Sequence, residues 1–82
     1  MKQITLYSMK GCAQCVSAAA WLTSNNVPHE VIKLEDNPDA WEFIKKEGHR
    51  SMPQLYVGEE CIPGGFKGLT DLGVGELLVK LA

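Results

Sequence analysis

A chain of 82 residues, 45% hydrophobic and 22% charged, has the composition of an ordinary globular protein with material for one small core and no second. Eight basic and ten acidic residues leave a formal net charge of −2, and without clustered Lys and Arg nothing draws a nucleic acid. No apolar stretch approaches the ~20 residues of a membrane span, and MKQITLYSMK lacks the unbroken apolar segment of a signal peptide. The expectation is a single domain over residues 1–82, cytoplasmic and monomeric, with no nucleic-acid or membrane partner.

Gln3 to Tyr7, QITLY, is β-branched and aromatic, with Ile4 and Leu6 at alternating positions, and predicts a buried strand that Ser8 to Gly11 breaks. From Ala13 to Ser24, Val16, Ala19, Ala20 and Thr23 recur at helical spacing beside Trp21 and Leu22, and Asn25-Asn26 supplies a stop. Pro28 ends that connection. EVIKL, Glu30 to Leu34, then predicts a second strand, parallel to the first and joined to it by a right-handed crossover.

Asp36-Asn37-Pro38-Asp39 combines a capping side chain, a proline for the first helical position and acids near the positive end of the dipole. The helix it starts runs to about Lys46, turns Trp41, Phe43 and Ile44 partly inward and has Gly48 as its cap. Gln54 to Val57 predicts a third strand, Gly58-Glu59-Glu60 a tight turn, and Cys61-Ile62-Pro63 a short returning edge strand. After a Gly64-Gly65 turn, a last helix lays Val74, Leu77, Leu78 and Leu81 on the sheet, its first turns weakened by Gly73 and Gly75. The order is that of an α/β protein with a mixed four-stranded sheet, strands ordered 2-1-3-4 and flanked by three helices. This is the thioredoxin-fold pattern.

Cys12 and Cys15 fall at the predicted strand-to-helix junction. There the unpaired N–H groups and the dipole of the helix stabilise a thiolate, which makes Cys12 the nucleophile. Lys10 adds a positive charge nearby, and Cys15, one turn on and more buried, is placed to attack a mixed disulfide on Cys12. Two blander readings compete: part of a zinc site, for which only Cys61, His29 and His49 remain as further ligands, or inert core cysteines.

Met52-Pro53 precedes the third strand, where a cis bond would turn the Met52 backbone toward the cysteines to pair with an extended ligand; the alternative is a trans proline opening the strand, and the position relative to the cysteine pair favours cis. Gly64-Gly65 allows close approach of a ligand and offers N–H groups to a carboxylate, with a simple turn as the alternative. Cys61 has no partner at redox spacing and reads as structural, with glutathionylation as a lesser role, and both histidines read as loop or cap residues.

Three segments in order, ITLYSMKGCAQC, SMPQLYV and IPGGFKGLTDL, resemble glutaredoxins over essentially the whole chain, and MPQ followed by GGF is similar to the phage type. The resemblance implies a thiol-disulfide oxidoreductase acting on protein disulfides or glutathione mixed disulfides, with Cys12 attacking, Cys15 resolving and Pro53 cis. It implies no tightly bound cofactor, glutathione being a co-substrate held by the Met52 backbone and the Gly65 region; Lys10, Gln14, Pro53, Gly64 and Phe66 are the further candidate substrate-binding residues read from the chain.

Ala13-Gln14 stands where typical glutaredoxins carry Pro-Tyr, and Phe66-Lys67-Gly68 follows the glycine pair where they carry Ser or Asp, Thr70-Asp71 coming later. Gln14, Arg50 ahead of Met-Pro and the Gly-Phe-basic run resemble instead the glutaredoxin-shaped redoxins that serve ribonucleotide reductase and draw electrons from thioredoxin reductase. The leading expectation passes electrons from glutathione to protein disulfides, with ribonucleotide reductase a candidate client, and the nearest rival changes the donor to thioredoxin reductase. A reading of another class, a metal or iron-sulfur carrier using Cys12 with glutathione as co-ligand, meets the objection that Cys15 offers Cys12 an internal disulfide.

Overall fold

The computed structural model describes residues 2–82. β1 (Ile4–Ser8) has hydrogen-bonded neighbours on both sides, parallel with β2 (His29–Lys33) and antiparallel with β3 (Gln54–Val57). β4 (Glu60–Ile62) returns antiparallel along β3, so the sheet runs β2-β1-β3-β4, the order expected from the chain. Three helices complete the fold: α1 (Ala13–Ser24), α2 (Pro38–Lys46) and α3 (Gly65–Leu81).

The alternation of β1 sends Ile4 and Leu6, both fully buried, to one face. There they meet Leu55, Val57 and Ile62 of the sheet and Ala18, Leu22, Leu69, Leu77 and Leu81 of α1 and α3. A smaller cluster on the α2 side joins Leu34, Ala40 and Ile44 to Tyr7, Ile32, Phe43 and Met52.

Several boundaries move by one residue. β2 begins at His29 rather than Glu30, and Leu34 leaves it for a 3-10 turn (Leu34–Asp36) that buries its side chain in the smaller cluster. The start of α2 is as expected: Pro38 holds the first helical position and Asn37 before it is the cap, its side chain accepting the Ala40 N–H at 3.4 Å. Pro38 at the first helical position keeps the residue before it extended, and Asn37 has φ −142° and ψ 86°. Glu60 pairs with Val57, which shortens the hairpin turn to Gly58-Glu59.

Two helical faces differ from expectation. In α1 the buried stripe is Cys15, Ala18 and Leu22, whereas Val16 is 71% exposed and Ala20 and Thr23 are also outside. Val16, Ala19, Ala20 and Trp21 make that helix apolar all round, so spacing alone leaves its rotation open; packing on β1 sets it. In α3, Gly73 (φ 82°, ψ 162°) interrupts the helix between the segment begun at Gly65 and the one carrying Leu77 and Leu81. Those two leucines lie one turn apart on the core side, and Leu78, about 100° round the axis from Leu77, is 42% exposed rather than packed on the sheet.

Candidate active site

β1 ends at Ser8 and a short loop carries the chain to Cys12, which caps α1 in extended conformation (φ −96°, ψ 102°). Its Sγ accepts the backbone N–H of Cys15 at 3.1 Å, using one of the donors a helix N-terminus leaves unpaired. No acidic side chain occupies the first turn of α1 to oppose negative charge on that sulfur. The loop is held at two points: Cys12 donates its N–H to the Met9 carbonyl at 3.3 Å, and Lys10 donates its N–H to Glu35 Oε1 at 3.2 Å.

Cys12 and Cys15 are joined as a disulfide, their Cα atoms 5.3 Å apart, inside the ~4.4–6.8 Å that such a bond spans. Cys12 is partly exposed and Cys15 only 2% exposed. Cys12 is therefore the accessible member of the pair and Cys15 the buried one.

Cys12 lies in the wall of a groove of about 460 Å³ whose apolar side is Met9, Ala13 and Val16 and whose charged side is Lys33 and Glu35. Sequence reasoning missed Val16, Lys33 and Glu35. The signal for the two charged residues is the parallel register that sets Lys33 beside Ser8, since parallel strands end on the same side of a sheet. Lys10 also lines this groove, and Gln14 is exposed on the first turn of α1.

The Met52-Pro53 peptide is cis and Pro53 is fully buried. Gly65, the first residue of α3, lies against it: a Cβ at Gly65 would sit 3.3 Å from the Pro53 carbonyl oxygen. Gly64 (φ 90°) caps that helix, and Phe66 is partly buried against the main core. Met52 and Met9 share a cleft of about 220 Å³ with Trp41 and Arg50. Met9 thus belongs to both hollows and links the Met52-Pro53 segment to the loop that carries Cys12.

The third cysteine stands apart on β4, its thiol directed at Gln54 Oε1 (4.0 Å) and the Ile62 carbonyl (3.7 Å). Burial pushes the Cys61 thiol pKa up and Glu47 adds to it, against a lowering hydrogen bond with Tyr56. His29 Nδ1 lies 2.8 Å from the Val27 carbonyl and His49 Nε2 2.6 Å from the Tyr56 hydroxyl. Among the described residues, no group of three or more His, Cys, Asp and Glu side chains is arranged to hold a metal ion.

The sequence pattern of the Glutaredoxin family matches residues 4–62. The chain is 34% identical over 71 residues to the glutaredoxin of Neisseria meningitidis serogroup A, across 84% of this chain and 82% of that protein. Its backbone matches the buckwheat glutaredoxin-glutathione complex with a TM-score of 0.78 over 98% of this chain and 76% of that one, a likeness of fold at 19% identity. The glutaredoxin-like protein NrdH-redoxin from Escherichia coli matches at 0.71 with 26% identity, over 80% of this chain and 86% of that one. Because the matched pattern runs from the first residue of β1 to the last of β4 and takes in Cys12, Cys15 and Met52-Pro53, the chain belongs to the glutaredoxin family and is a thiol-disulfide oxidoreductase.

Proposed function

We propose that this protein reduces disulfides in client proteins by a two-cysteine cycle and regains its electrons from glutathione. The observation that carries the cycle is the asymmetry of the pair: a partly exposed Cys12 at a helix N-terminus, its sulfur accepting the Cys15 N–H at 3.1 Å, bonded to a buried Cys15. The same dipole and N–H that hold the sulfur favour it as a thiolate once the bond is reduced.

The Cys12 thiolate attacks one sulfur of the client disulfide, forms a mixed disulfide and releases the other client sulfur as a thiolate, which takes up a proton. The Cys15 thiol loses its proton and attacks Cys12, which regenerates the internal disulfide and expels the second client thiolate. Two glutathione thiols then restore the dithiol in two exchanges and leave as glutathione disulfide.

For glutathione, an extended tripeptide-like ligand, the Met52 backbone and the N–H groups at Gly64 and Gly65 are the proposed contacts, with Lys10, Gln14, Pro53 and Phe66 around them. The close approach of Gly65 to Pro53 supports this, since it sets two parts of the proposed contact surface side by side.

A second reading keeps the chemistry and takes electrons from thioredoxin reductase. It is favoured by the 26% identity to NrdH-redoxin over 86% of that chain and by Ala13-Gln14 between the cysteines. Ribonucleotide reductase is a candidate client under either reading.

Parallel assays decide. Reduction of a small disulfide coupled to NADPH through glutathione and glutathione reductase is expected to outpace the same reaction driven by thioredoxin reductase. The reverse order transfers the assignment to the second reading, and full turnover by Cys12→Ser overturns both.

A further inference from the structure

The register places Tyr7 level with Ile32 and Gln54, and Thr5 level with Glu30 and Tyr56, all on the sheet face opposite Ile4 and Leu6. α2 covers only part of this face, its Ala40 and Ile44 packing with Leu34 near Tyr7, Ile32 and Met52. At the C-terminal end of that helix lies a cavity of about 500 Å³ walled by Tyr7, Phe43 and Tyr56 and bordered by Glu47, Gly58 and Glu59. The three rings form a triangle with centroids 5.6, 5.7 and 5.4 Å apart.

Every charged side chain lining this cavity is a carboxylate. Among the described residues, the ion pairs are Glu42 with Lys45, Asp71 with Lys67 and Glu60 with Lys80, so neither Glu47 nor Glu59 has a cation of its own. The negative field reaches the rings. Tyr7 ionises above its ordinary pKa because of burial and then Glu30, and the Tyr56 pKa is pushed up to about 12 by burial first, with Cys61 and Glu47 adding to it. Aromatic faces carry negative charge as well, so wall and rim both select a positive ligand.

We propose that this cavity receives the guanidinium group of an arginine side chain presented by a partner protein. Guanidinium is planar and weakly hydrated: it stacks on a ring while its fork of N–H groups donates to a carboxylate, and its methylene stem covers apolar surface. A lysine ammonium holds its water more tightly and cannot stack in this way. β3 starts at Gln54, directly after Pro53, and runs antiparallel to β1 from Tyr7 back to Ile4, so the Gly58-Glu59 turn is at the end of the sheet remote from Cys12, and an arginine bound there leaves Cys12 free. The inference rests on the cavity alone and does not depend on which donor or client the cysteines use.

The test is a titration of the full-length, isotopically labelled protein with N-acetyl-arginine amide, followed by amide chemical shifts. N-acetyl-lysine amide and the uncharged isostere N-acetyl-citrulline amide serve as the comparison ligands. Saturable shifts are expected at Phe43, Glu47, Tyr56, Gly58 and Glu59 with arginine, weaker binding with lysine and none with citrulline. Glu47→Gln with Glu59→Gln, both at exposed positions, is expected to weaken arginine binding roughly fivefold without unfolding the protein. Phe43→Leu, which keeps apolar bulk and removes the ring, is expected to weaken it too. The proposal is overturned if citrulline matches arginine, if lysine binds as tightly, if the double variant binds unchanged, or if no saturable shift appears.

Discussion

Cys15 donates its backbone N–H to the Cys12 sulfur across 3.1 Å, yet its own side chain is only 2% exposed. One residue therefore offers its N–H to its neighbour's sulfur while its own side chain is withheld from solvent. In the reduced protein, iodoacetamide is expected to alkylate Cys12 at least about tenfold faster than Cys15, because thiolate character and access both favour it. Peptide mapping after a short pulse checks this. Equal labelling would mean that the helix start gives no preference and would remove the basis for the assigned roles.

Gly68 lies so close to the Pro63 carbonyl that a Cβ there collides with it, while its N–H donates to the Gly64 carbonyl at 3.1 Å. Gly68→Ala is therefore expected to destabilise the fold by about 1–3 kcal/mol through forced displacement of the α3 start. Gly75, with nothing within 4 Å of its missing Cβ, is the control: Gly75→Ala is expected to stabilise by about 0.4–1 kcal/mol. Urea unfolding of the two variants should shift the midpoint in opposite directions.

Leu77 is fully buried and Leu78, its immediate neighbour, is 42% exposed. Leu77→Ala is expected to cost about 2–5 kcal/mol, transfer and cavity together. Leu78→Ala should cost less than about 1 kcal/mol, as surface changes do. Similar losses from both, measured by thermal or urea denaturation, would place the Gly73 break or the rotation of the following segment elsewhere.

Absorbance at 295 nm against pH should show a tyrosine component with its midpoint near 12, lost in Tyr56→Phe, because burial and the nearby Cys61 and Glu47 hold Tyr56 neutral. This has a stability counterpart. Below pH 10, the ordinary tyrosine value, both folded and unfolded chains keep the proton and the contribution is intact; from 10 to about 12 only the unfolded chain loses it, so stability falls. The slope from this group reaches at most roughly 1.4 kcal/mol per pH unit and should be absent in Tyr56→Phe.

Pattern reading recovered the sheet order, the placement of the cysteine pair at the start of α1 and the cis Met52-Pro53 peptide. It mistook the rotation of α1, where Val16 is outside and Ala18 inside, and the burial of Leu78. It also passed over Lys33 and Glu35, which border the Cys12 groove from the far end of a different strand. Nothing in the chain order shows that Tyr7, Phe43 and Tyr56, from three separate elements, close a triangle of rings.

Short-range chemistry was enough for what lies within one turn or one strand. Two cysteines three positions apart at a strand-to-helix junction meet whatever surrounds them, because helix geometry alone sets their separation and exposes the first N–H groups. The rotation of a uniformly apolar helix, and the residues that distant strands bring to a shared groove, were decided by packing. They depend on which of several equivalent faces fits the sheet, and that choice is made only when the elements come together.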